Sequence, residues 1–275
     1  MSDNASAWRA GFKADYQSIF VEEWSPFVGA LLLVLTIIGL MLSGLVWGVF
    51  GGVKFWGDWF NNLIGLGPAL GIPAELDGWL MHRMSLMNIM LVLGAFAAAL
   101  LSRQFSPNRP PPLEYVWAAS GGSLLGIGAA LAGGCTTGGF FNPVLHSSPA
   151  GWAMWLGLLA GAAVGLKLLL WTLDHIECGM QAPPTLDIPD GVRNNFPWLG
   201  LAVIVGVLFW ATQWFGSADE KLVARAIIVV AGFAIGFIMH RSRLCFARAF
   251  REPFMTAEGD MTKAVILALA IGIPI

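Results

Sequence analysis

Residues 26–53 contain no charged side chain. This run constrains the fold more than any other feature, because hydrocarbon offers a backbone no hydrogen-bond partner. A helix satisfies its own N–H and C=O groups there. A run beyond about 18 apolar residues reads as a helix long enough to cross the ~30 Å core of a bilayer. Further apolar runs lie at about 86–101, 116–141, 152–173 (with Lys167 its only charge), 196–215, 226–239 and 264–275. The composition agrees: 57% of the 275 residues are hydrophobic and 12% are charged, about half the charge of a soluble domain. Disordered, collagen-like and ordinary soluble readings are excluded. The expected fold is all-α, a polytopic membrane helix bundle, with the lipid bilayer as its surroundings. A net charge of −2 leaves no basic footprint, which excludes nucleic acid as a partner.

Residues 54–79 are apolar but interrupted by Gly, Pro and Asp, the pattern of an interfacial or re-entrant segment. The proline-rich stretch after residue 101 stops a helix, and a polar loop follows residue 173. The N-terminus lacks the basic region and short apolar stretch of a cleaved signal peptide. The expected organisation is an N-terminal segment 1–25, a first transmembrane repeat 26–195, and a second repeat beginning at 196–275. The last apolar run reaches Ile275 with no polar flank, so the second repeat is expected to be incomplete and to be finished by a C-terminal half or a second chain. Placing the N-terminus in the cytoplasm puts Arg9, Lys13, Arg103, Arg109, Arg193, Arg241, Arg243, Arg248, Arg251 and Lys263 inside, ten cations against the four (Lys54, Arg83, Lys221, Arg225) outside. That orientation obeys the positive-inside bias.

An internal echo supports two repeats. LMHRMSLM at 80–87 recurs as IMHRSRLC at 238–245, 158 residues later, with Arg83 and Arg241 expected on opposite sides. That is the pattern of inverted pseudo-symmetric repeats, whose substrate site lies near the midplane where the halves meet.

The string SGGSLLGIGAALAGGCTTGGFFNP, residues 120–143, carries the most chemistry. Its Gly122–Gly126 pair, like Gly157–Gly161–Gly165, reads as close helix packing. Gly133, Gly134, Cys135, Thr136, Thr137 and Gly138 differ. Glycines around a thiol and two hydroxyls expose N–H groups and side-chain donors to a small anion if the helix breaks there. Cys135 either packs or meets a ligand; a soft, weakly donating thiol suits a sulfur-bearing ligand better than a hard oxyanion. No base stands beside it in sequence, so nucleophilic catalysis is not expected. A second cluster, His240, Arg241, Arg243, Arg248 and Arg251, surrounds Cys245. It reads either as positive anchoring at a helix end, with Arg251 and Glu252 exposed, or as a cationic vestibule beside a thiol. Cys178 sits in a polar loop with no such setting. Three cysteines without CxxC indicate neither a disulfide framework nor structural zinc, and His82 and His240 lack a second ligand at metal spacing. No metal or cofactor is expected.

With LAGGCTTG at 131–138 and GFAIGFIMHRSRLCFARAFREPF at 232–254, followed by MTKAVILALAIG, the chain resembles the YeeE/YedE family of bacterial inner-membrane sulfur transporters. The family includes thiosulfate-uptake proteins and a selenium-metabolism type. The resemblance implies a pseudo-symmetric helical bundle that passes thiosulfate between cysteines along a central path. It makes Cys135 the thiol of the first GGC motif and Cys245 that of the second repeat. At the position that the echo aligns with Cys245 the first repeat has Met87, whose thioether is also soft. The resemblance implies a small cytosolic sulfur-carrier protein as partner. The alternatives are a membrane sulfurtransferase or thiol-redox protein using Cys245, and a carrier of selenium species.

Overall fold

The computed structural model describes residues 11, 14–175, 189–255 and 259–273. Arg9, Lys13 and Cys178 lie outside them. The fold is all-helical: α1 (Pro26–Leu42), α2 (Phe50–Leu63), α3 (Arg83–Leu101), α4 (Pro112–Leu131), α5 (Pro149–His175), α6 (Phe196–Phe215), α7 (Glu220–Ser242), α8 (Phe246–Met255) and α9 (Asp260–Gly272), with shorter turns between them. Five stretches among the described residues are long and apolar enough to cross a membrane, six if Ala14–Val21 and Pro26–Leu42, bent by 72°, form one span.

The uncharged run 26–53 is not one helix. α1 stops at Leu42, where Gly44 takes a left-handed φ of +69°. The N–H groups of Gly44 and Leu45 donate back to Met41 O and Leu40 O at 2.9 Å each, a turn that satisfies the last carbonyls of a helix. The chain then runs irregularly to Val49 and begins α2 at Phe50, so what reads as one span holds a helix, a break and the start of a second helix. Hydropathy misses this break because its side chains stay apolar while glycine supplies the turn.

The core is the α3–α7 pair. Positions 87, 91 and 94 of α3 face 232, 236 and 233–237 of α7, so the two helices run parallel, and a side chain on Gly94 or Gly236 would strike the partner's backbone. α1 lies antiparallel to α7: its Gly29 abuts Ser242, and Trp24 N–H donates to Arg241 O at 3.0 Å. Its buried Ala30, Leu33, Val34, Ile37 and Leu40 form one helical stripe, against which α9 also packs. α6 crosses back over the end of α3, where a Cβ on Gly200 would lie 3.2 Å from Ala97 O. Because α3 and α7 are parallel, the cations sort to two ends. Arg83 and Arg225 lie at one, with Arg225 Nε donating to Met81 O at 3.0 Å. Arg103, Arg241 and Arg243 lie at the other, where Tyr16 donates to Leu101 O at 2.6 Å.

The glycine pairs at 122–126 and 157–165 do not pack here: a Cβ on any of them meets open space. The close approaches fall on other glycines, among them Gly29, Gly94 and Gly200 and a different GxxxG pair, Gly232–Gly236 of α7, which meets the backbone of α3 at Met87 and Leu91; α4 and most of α5 present their small-residue faces outward. Adding one methyl should therefore act oppositely at two sites. Gly236→Ala is expected to destabilise by about 1–3 kcal/mol, the usual effect of overpacking, and Gly122→Ala to be neutral or to stabilise by up to about 1 kcal/mol through helix propensity. Thermal unfolding of both in detergent checks the contrast.

Candidate functional site

The ends of three helices assemble the centre. α4 ends in a Schellman turn, with Gly133 at φ +71°, Gly133 N–H donating to Ala130 O at 3.4 Å and Gly134 N–H to Ala129 O at 2.8 Å. At Gly134 a Cβ would lie 2.7 Å from Gly139 N, so the loop folds onto itself only without a side chain. Cys135 is extended and opens a wide turn over Thr136–Phe141 that continues into Asn142–Leu145; no side chain caps it. Gly139 N–H donates to Cys135 O at 2.7 Å.

The groups acting on the Cys135 sulfur are the N–H of Gly138, the N–H and side chain of Thr137, and the N–H of Phe50. Phe50 opens α2, whose N-terminus also has no side-chain cap. Two helical N-termini from distant parts of the sequence thus bring N–H groups to one thiol, each with the partial positive charge of aligned peptide dipoles. Beside them lies a cavity of about 500 Å³ whose walls include Trp47, Phe50, Met84, Gly133, Gly138 and Asn142; Cys135, Thr136 and Thr137 stand behind that wall rather than in it. Asn142 Nδ2 donates to Trp47 O, and Asn88 Nδ2 donates to Val49 O at 2.9 Å, so two buried amides hold the loop between α1 and α2. Trp47 Nε1 and Asn142 Oδ1 are buried without a partner, leaving a donor and an acceptor on side chains of the cavity wall.

The structure brings Gly133, Gly134, Cys135, Thr136, Thr137 and Gly138 together and disperses the other candidates. Cys245 is exposed at the start of α8. That helix packs on the Cys135 turn through Phe246 on Phe141 (5.0 Å between ring centres) and Phe250 on Phe140 (5.2 Å). Arg241 is 1% exposed and donates to Glu22 O, tying the N-terminal segment to α7. Arg243 pairs with Glu23 at 2.6 Å and borders a separate cavity of about 490 Å³ with His240 and Gln104. Met87 is buried against α7, with Met84 instead bordering the Cys135 cavity. Glu252, expected to be exposed, is buried: it accepts from Met261 N–H at 2.9 Å and faces Arg248 at 3.5 Å, capping the start of α9. Among the described residues no group of three His, Cys, Asp or Glu side chains is placed to hold a metal ion.

The loop 46–51 and Met84 escape sequence reasoning because nothing ionisable marks them. The available signals were the glycines at 44, 48, 51 and 52 and the amides Asn88 and Asn142 inside apolar runs. The Met-His-Arg echo falls on unlike structure, opening α3 at 81–83 but closing α7 at 239–241. A different pair of strings shares conformation. Ser43-Gly44-Leu45-Val46-Trp47 and Ser242-Arg243-Leu244-Cys245-Phe246 both follow a helix, take a left-handed second residue (φ +69° and +51°), bury the Leu and bury the aromatic. The two aromatic rings meet, 6.2 Å apart.

The family model described as sulphur transport matches residues 3–164. Relatives include the "Probable transporter YedE" of Salmonella typhimurium, 28% identical over 93% of this chain and 65% of that protein. That of Escherichia coli is 29% identical over 84% and 58%. The "Thiosulfate transporter TsuA" of Escherichia coli is 29% identical over 58% of this chain and 41% of that protein. The chain thus spans less than two thirds of the length of these relatives. No solved structure matches it.

At the rim, His82 Nδ1 accepts Ser85 N–H at 3.2 Å, capping α3, and its ring stacks on Phe55 at 4.1 Å. Burial holds its imidazole below the ordinary range, against the pull of Asp77. The unfolded chain therefore binds the proton first. The stabilisation is complete above the ordinary histidine value of about 6.5 and is lost as pH falls through the lower folded value. Thermal stability is expected to drop on acidification below about 6.5, and His82→Asn, a cap that does not titrate, should flatten that drop. Melting curves across pH check this.

Proposed function

The chain belongs to the sulphur transport family, and from that premise we propose that it carries a small sulfur-containing anion, thiosulfate first among them, across a bacterial inner membrane. The observation that supports this reading is the convergence of the Cys135 turn and the α2 N-terminus on one cavity. Backbone N–H groups at helix starts hold anionic oxygens without a charged side chain. The thiol offers a weak donor and a polarisable surface to a terminal sulfur. Gly133, Gly134, Thr136, Thr137 and Gly138 replace water around the anion, and Cys135 contacts its soft end.

Arg243, with His240, forms a cationic vestibule at the opposite end from Arg83, and Arg241 serves by anchoring the N-terminal segment. Cys245 is a further thiol for the cargo beyond the central cavity, and Met87 acts through packing. The two breaks at 43–47 and 242–246 are the matching points of inverted repeats, which puts Val46 rather than Met87 opposite Cys245. The Arg243 end faces the cytoplasm, where a sulfur-carrier protein receives the cargo. The open faces of α4 and α5 suit a further half-bundle or a second chain.

Cys135→Ala is expected to reduce uptake of radiolabelled thiosulfate at least ~10-fold at matched membrane levels, the loss of about 1.5–3 kcal/mol that one hydrogen bond to a charged ligand represents. Thr137→Val should lower it less. Full retention of uptake in Cys135→Ala overturns the site. A mass increment on Cys245 after thiosulfate exposure would instead identify a sulfurtransferase.

A further inference from the structure

Two cavities share a wall. The cavity beside the Cys135 turn (the Cys135 cavity), about 500 Å³ and walled on that side by Gly133, Gly134 and Gly138, and a smaller, more enclosed one of about 70 Å³ are both bordered by Val46 and Met84. The smaller one continues to Gly44, Met87, Ile228 and Arg83. Along the loop after α1, Leu45 and Trp47 are buried while Val46 is 50% exposed, so the alternation of this stretch leaves Val46 as the apolar side chain standing between the two spaces.

We propose that Val46 and Met84 form an apolar gate between the Cys135 cavity and the end of the bundle that carries Arg83, and that Arg83 selects anions at the mouth of that gate. This rests on the transport reading above.

Size argues for a gate rather than an open passage. The smaller space has about a seventh of the volume of the larger one, so the route toward Arg83 narrows sharply past Val46 and Met84. An apolar constriction of that scale closes by excluding water and opens by a small displacement. Met84 suits the moving part, being unbranched with three rotatable bonds, and Val46 suits the fixed part, being stiff at χ1 on a loop held by Asn142 and Asn88. Where the matching break of α7 carries Cys245, this one carries a residue that can neither donate to nor accept from an anion, so it can obstruct but not bind.

Arg83 supplies the charge logic. It is the first residue of α3, whose first turn has no acidic residue, so a cation stands at the end of a helix dipole that disfavours it. Among the described residues no hydrogen bond or ion pair engages it, while Lys54 of α2 is paired with Asp58 at 2.6 Å. An unpaired guanidinium beside a narrow apolar opening attracts anions and repels cations.

The test measures how fast Cys135 reacts with two membrane-impermeant methanethiosulfonates of similar size, one sulfonated and one bearing a quaternary ammonium, read by peptide-resolved mass spectrometry of the full chain. Intact cells and inverted vesicles present the two faces separately, and reactivity of Arg83→Cys identifies the face that Arg83 occupies. From that face the sulfonated reagent should react faster than the cationic one, and Arg83→Gln should erase the difference. Val46→Trp should slow modification about tenfold or more, a barrier raised by ~1.4 kcal/mol, and Val46→Ala should speed it. Reaction from the opposite face should not change. Met84→Trp repeats the block should Val46→Trp fail to insert. Equal rates for the two reagents, or a rate that neither Trp variant alters, overturns the proposal. No thiosulfate uptake by the unmutated chain at normal membrane levels, with these labelling results intact, overturns the transport reading and leaves the gate standing.

Discussion

Every backbone N–H and C=O inside a bilayer must find a partner within the protein, since each one left bare costs several kcal/mol. The bundle obeys this along its helices and spends its special residues where the helices stop. Gly44 and Gly133 let α1 and α4 close their last carbonyls with left-handed turns. Asn142 and Asn88 supply the donors that the loop after α1 requires. The N–H groups at the starts of α2 and of the Cys135 turn converge instead on the Cys135 sulfur. Under the proposed transport reading these are the groups an anion would meet, so the rule that shapes the helices also points to the candidate site.

Packing keeps those breaks in register. α3 and α7 approach so closely that backbone meets backbone at Gly94 and Gly236. α1 and α9 flank them, and α8 presses Phe246 and Phe250 onto the Cys135 turn. The aromatic contact between Trp47 and Phe246 joins the break after α1 to the break after α7. A shift of either helix would thus move a wall of the cavity.

Much of the fold was legible because hydropathy reports burial in hydrocarbon directly. The helices α3, α5, α6 and α7 lie where uncharged runs predict them. The break within residues 26–53 was hidden, because glycine turns a chain without lowering its hydropathy. The GxxxG pairs misled for a related reason. Small residues permit close approach but do not say what approaches, and here the backbones approach at another GxxxG pair, Gly232–Gly236 of α7, and at single glycines such as Gly94 and Gly200. At the candidate site, GGCTTGG marked the Cys135 turn. The site's other half, Trp47, Phe50 and Met84, is apolar and could not be distinguished from core. Sequence records the charge of Arg241 and not its burial or its bond to the N-terminal segment.

Length, charge and the glycine-flanked thiol were enough to determine an all-helical membrane protein of a sulfur-transport family with Cys135 at a helix break, since these follow from what hydrocarbon excludes and what a motif carries. Only the tertiary structure decided that the α2 N-terminus faces that thiol, that Met84 and not Met87 borders its cavity, and that Arg241 anchors a terminus. Those outcomes depend on helix directions and on contacts between residues about 50 to 220 positions apart, and apolar runs encode the length of a helix but not which neighbour it meets.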